Sequence, residues 1–132
     1  SKAISQIEEL LQDLYSQGFQ SEQIYLIGFS QGACLSLEFA ARFAKKYGGV
    51  IAFTGGLIGE QLVPEKYSGS FEHTQIFIGS SKKDFHVPLE RIKLSVDLLV
   101  KMGAEVKLLI FEDSDHTIRK EEIDWVNSNI LL

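Results

Sequence analysis

The stretch that most constrains this chain is Ile24-Tyr25-Leu26-Ile27 followed at once by Gly28-Phe29-Ser30-Gln31-Gly32. A short apolar run without polar alternation suits a strand buried on both faces, as in a parallel sheet. The residues after it, 31–46, read as a helix ending near Lys45-Lys46-Tyr47-Gly48, with both lysines suited to the negative end of its dipole. Strand, tight glycine-flanked turn and helix therefore follow one another with no linker. Glycines at 28 and 32 are expected wherever a strained turn leaves no room for side chains.

The same alternation runs through the chain. Residues 3–17 repeat Ile4, Ile7, Leu10, Leu11 and Leu14 at helical spacing and stop at Gly18. Val50–Phe53 is strand-like and leads into the turn Thr54-Gly55-Gly56, and 57–74 is irregular. Ile76–Ile78 is a third strand. Pro88 opens a helix to about Met102, with Gly103 as its stop. Val106–Phe111 is a fourth strand, and a last helix from Arg119 to Ile130 puts Ile123, Val126 and Ile130 on one face. Strands alternating with helices predict an α/β fold, a mainly parallel sheet flanked by helices. Without repeats or linkers, residues 1–132 read as a single domain.

Composition removes several function classes. With 45% hydrophobic and 23% charged residues the chain has the makeup of a globular protein. A net charge of −5 without a basic face argues against nucleic acid as a partner. No apolar stretch approaches the roughly 18–20 residues of a membrane span, and no apolar segment follows Ser1-Lys2-Ala3-Ile4 as in a signal peptide. Cys34 is the single cysteine, so no internal disulfide forms and a reducing, cytoplasmic setting is expected.

The pentapeptide is the G-x-S-x-G of a nucleophile elbow, in which a serine sits on a sharp strand-to-helix turn at the top of an α/β-hydrolase sheet. Ser30 is the expected nucleophile, and the N–H of Gln31, at the helix start, an oxyanion donor. The bland alternative is a chance pentapeptide in a glycine-containing chain. Serine needs a positioned base, and in this fold the order is Ser, Asp or Glu, then His. Of three histidines, His116 alone follows the last strand; His73 precedes the third strand, and His86 lies where the acid belongs. Asp84, on the loop after the third strand, is the favoured acid, with Asp113 and Asp115 as rivals by proximity to His116. Phe29, Leu57, Ile58, Phe85 and Val87 are candidates for the pocket wall, or ordinary core.

These residues resemble the phospholipase/carboxylesterase family, which includes the acyl-protein thioesterases. Gly28-Phe29-Ser30-Gln31-Gly32 is similar to its G-F-S-Q-G, Asp84-Phe85-His86-Val87-Pro88 to its D-x-x-V-P segment, Asp115-His116 to its late histidine loop, and Thr54-Gly55-Gly56-Leu57 to a small-residue turn. The resemblance implies a serine hydrolase of carboxylic esters or thioesters with the triad Ser30, Asp84 and His116 and with no cofactor or metal. Two departures stand out: Ala33 where a further Gly is common, and Asp113-Ser114-Asp115-His116 where a Gly usually comes close before the His. The family's opening strands and their L-H-G-x-G-like oxyanion loop have no counterpart here. The chain is therefore expected to match the C-terminal part of a family member. A sheet edge would be left for a partner segment or a second copy, as in a homo-oligomer. The alternative is a catalytically impaired hydrolase fragment or binding module. A dienelactone-type hydrolase would carry a cysteine at position 30, where this chain has Ser30.

Overall fold

The computed structural model describes residues 2–57, 67–83 and 88–132. Four strands alternate with helices: α1 (Lys2–Ser16), β1 (Tyr25–Phe29), α2 (Gln31–Arg42), β2 (Gly49–Phe53), β3 (Gln75–Ser81), α3 (Leu89–Lys101), β4 (Glu105–Phe111) and α4 (Lys120–Asn129). All pairings are parallel, in the order β1-β2-β3-β4. Stepping always the same way across a sheet with right-handed crossovers puts the connections on one face. Accordingly α1, α2 and α3 share one core with Leu37, Phe39, Val50, Ile76, Ile92 and Leu99. α4, after the last strand, turns back over the other face, where Ile51, Phe53 and Phe77 meet Val126 and Ile130.

Four expectations change. β1 is an edge strand, and Ile27 is 53% exposed, because the sheet order decides what lies beside a strand and an apolar run does not. Tyr25 and Phe29 share that open face. α2 ends at Arg42, the basic residue of its last turn, so Lys45 and Lys46 lie beyond the helix. The Tyr47 hydroxyl donates to the carbonyl of Phe43, the C-cap, at 2.6 Å, and Lys45 lies over the Tyr15 ring. In α4 the inward residues are Glu122, Val126 and Ile130, while Ile123 is 46% exposed. Leu10 of α1 is likewise exposed. Pro88 and Gly103 act as expected: Pro88 is the N-cap of α3, and Gly103 takes φ +91 just after it.

Candidate active site

Ser30 sits between β1 and α2 at φ 57 and ψ −115. A non-glycine residue there is strained, and such strain persists only where the surroundings enforce it. They do. The Ser30 N–H extends the β1–β2 ladder by donating to the Phe53 carbonyl at 2.9 Å, and the Ser30 carbonyl accepts from Cys34 at 3.1 Å as α2 begins. Gly28 is indispensable to this turn: a Cβ would be driven into the Gly32 carbonyl and come to 2.6 Å from the Ala33 nitrogen. Gly32 differs from the expectation, because a Cβ there would meet nothing within 4 Å. Gln31 is exposed and is the first residue of α2, so its N–H precedes the intrahelical bonds and points out of the helix end.

His116 comes from the loop between β4 and α4, and its Nε2 lies 2.8 Å from Ser30 Oγ. The Phe29 ring packs against the imidazole, with centroids 5.2 Å apart. Thus the two residues expected to be nucleophile and base meet at the C-terminal edge of the sheet, where sites in open α/β sheets form. Asp113 is engaged elsewhere. Its carboxylate takes Arg119 Nε at 3.1 Å and Nη2, and accepts the Asp115 N–H at 3.0 Å. The Arg119 bond holds its carboxyl below the usual value. Asp115 is exposed. His73 is exposed in the turn before β3, at the opposite edge. Asp84, Phe85, His86, Val87 and Ile58 lie outside the described residues. Leu57 is 3% exposed and packs within the core, and its N–H donates to Ser95 Oγ at 3.1 Å.

Three residues that pattern reading passed over support the histidine loop. Thr54, buried at φ 64 after β2, donates its hydroxyl to the Thr117 carbonyl at 3.1 Å. Arg119 is the N-cap of α4. Glu122, at the third helical position, accepts the Arg119 N–H at 3.2 Å, as the acidic residue of a capping box does. The Arg119–Glu122 spacing was the available signal. Burial raises the Glu122 carboxyl above its ordinary value, against the opposing pull of Arg119. Among the described residues no three His, Cys, Asp or Glu side chains gather as a metal site would need.

A model of the phospholipase/carboxylesterase family matches residues 1–131. The chain belongs to the phospholipase/carboxylesterase family. A family member of known structure, the phospholipase/carboxylesterase from Dyadobacter fermentans, superposes with a TM-score of 0.96 at 46% identity, over 98% of this chain and 62% of that one. The acyl-protein thioesterase 1 of Gibberella zeae is 30% identical over 121 residues, 90% of this chain and 52% of its own length. A probable SOBER1-like carboxylesterase of Arabidopsis thaliana is 23% identical over 96% of this chain and 48% of its own. The chain thus spans about half the length of the curated relatives it matches. The fold is that of an α/β-hydrolase. No helix among the described residues is long and apolar enough to cross a membrane.

Proposed function

We propose that the protein containing this chain is a serine hydrolase of carboxylic esters or thioesters, with Ser30 as nucleophile, His116 as base and Asp84 as the acid. The observation that carries the reading is the 2.8 Å approach of His116 Nε2 to Ser30 Oγ, made by a serine held at φ 57. His116 takes the Oγ proton as Oγ bonds to the acyl carbon. It returns that proton to the departing alcohol or thiol, leaving an acyl-serine. Water, activated by the same imidazole, then attacks the acyl carbon, and Ser30 regains its proton.

Asp84 is supported by elimination as well as by order. Asp113 is engaged by Arg119, and Asp115 is exposed beside it. In the chain, Asp84 follows Ser81, the last residue of β3, by three positions, as the order of the expected triad asks. The Gln31 N–H supplies one oxyanion donor, and Phe29 backs the base. Phe85 and Val87, which follow the acid in the chain, are read as pocket wall. We read the 132 residues as belonging to one domain that works in a reducing, cytoplasmic compartment on small-molecule esters or thioesters, and the bare edge of β1 as the face where a second copy or another segment pairs. A fluorophosphonate probe should label Ser30 in the full-length protein and hydrolyse-dependent release from p-nitrophenyl esters should vanish in Ser30→Ala. Absence of labelling in the folded protein would overturn the reading.

A further inference from the structure

Every second carbonyl through the histidine loop is held. The Asp113 carbonyl accepts from Ser81 Oγ at the end of β3. The Asp115 carbonyl accepts from Arg119 Nη2 at 2.9 Å. The Thr117 carbonyl accepts from Arg119 Nη1 at 3.4 Å and from Thr54 Oγ1 at 3.1 Å. Arg119 therefore grips the backbone on both sides of His116.

The guanidinium is itself fixed. Its plane lies over the Phe111 ring, 4.3 Å from the centroid. Nε and Nη2 bind the Asp113 carboxylate, and Nη1 reaches Glu122 Oε1 at 3.3 Å. With the two carbonyls, all five N–H groups of an arginine have an acceptor. A lysine, with three donors on one nitrogen, cannot reproduce this fork. Glu122 is fully buried, and its Oε2 has no hydrogen-bond partner among the described residues. It is packed so tightly over Gly79 of β3 that a Cβ there would run into it. A buried carboxylate oxygen kept without a partner calls for a reason, and anchoring the guanidinium to the sheet is one.

We propose that Arg119 is the positioning residue of His116: it clamps the carbonyls on either side of the histidine so that the imidazole stays in reach of Ser30, and Glu122 and Asp113 fix the clamp to the sheet and the loop. The proposal rests on the reading of Ser30 and His116 as nucleophile and base.

The test compares Arg119→Lys and the neutral pair Arg119→Met with Glu122→Gln in the full-length protein. The pair leaves no lone buried charge, so it keeps the fold in view if the single variant unfolds. A misplacement of about 1 Å at a catalytic group costs on the order of 100-fold in rate. Folded variants should therefore lose roughly 30- to 100-fold in kcat for a p-nitrophenyl ester, with KM held within about twofold. The NMR chemical shifts of the His116 ring supply a readout that needs no turnover. In the parent protein Ser30→Ala removes the hydroxyl 2.8 Å from Nε2 and should move those ring resonances, and the change should shrink in both Arg119 backgrounds. The proposal is overturned if a folded variant keeps its kcat, or if the effect of Ser30→Ala on His116 persists undiminished. Failure of the esterase reading looks different: the parent protein would neither label nor turn over, while the NMR comparison would still report on the clamp.

Discussion

The two glycines of the elbow offer a paired test, because they play unlike parts. A Cβ on Gly28 collides with the Gly32 carbonyl and sits 2.6 Å from the Ala33 nitrogen, both of them backbone atoms that cannot rotate away. Ordinary contact begins near 3.4 Å, so β1 and the first turn of α2 must part by more than an ångström at the Gly32 carbonyl. Overpacking of that kind costs about 1–3 kcal/mol, and the displaced Ser30 should lose on the order of 100-fold in reaction rate. On Gly32 the added methyl meets nothing within 4 Å, and the residue lies in the first turn of α2. There the helix propensity of alanine should add up to about 0.5–1 kcal/mol of stability. Urea unfolding of Gly28→Ala and Gly32→Ala in the full-length protein reads the stabilities, and the rate of fluorophosphonate labelling reads Ser30. Equal destabilisation by the two substitutions would refute the assignment of separate roles.

Three further outcomes are expected. The folded protein holds the Glu122 proton more tightly than the unfolded chain does, because burial raises that carboxyl above its ordinary 4.5. Its contribution to stability is thus largest at low pH and erodes as pH rises from 4.5 through the raised value, and Glu122→Gln should flatten that descent in urea midpoints measured against pH. Asp113, held low by Arg119, acts in the opposite window: its contribution is present above the ordinary 3.8 and is lost as pH falls through the lowered value. Tyr67→Phe removes the hydroxyl that donates to both oxygens of buried Glu38, at 2.9 and 3.0 Å, and leaves that carboxylate to Arg42 at 2.7 Å and its remaining contacts. A loss of about 1.5–3 kcal/mol in urea unfolding is expected, as for hydrogen bonds to charged groups.

The alternation of strand and helix was legible because each element carries its own period and its own stop, as with Pro88 and Gly103 around α3. The approach of Ser30 to His116 was legible because chain order in a parallel sheet returns both residues to one edge. What lay hidden depends on neighbours distant in sequence. The run from Ile24 to Ile27 looks doubly buried, yet its strand is at the border of the four. Asp113 reads as a solvated acidic turn until Arg119, six residues on, is seen to fold back onto it. Glu122 next to Ile123 suggests that the isoleucine turns inward. The helix phase set by Val126 and Ile130 turns the glutamate inward instead, and Arg119 makes that burial tolerable.

The manner in which the histidine loop is secured bears on how this protein can change. Its hydrogen bonds seize carbonyl oxygens at 113, 115 and 117, which every amino acid provides. The side chains of Ser114 and Asp115 are exposed and free to drift without disturbing His116 beside them. In a saturation library these two positions should tolerate broad diversification beside His116 while Arg119, Glu122 and Thr54 stay constant.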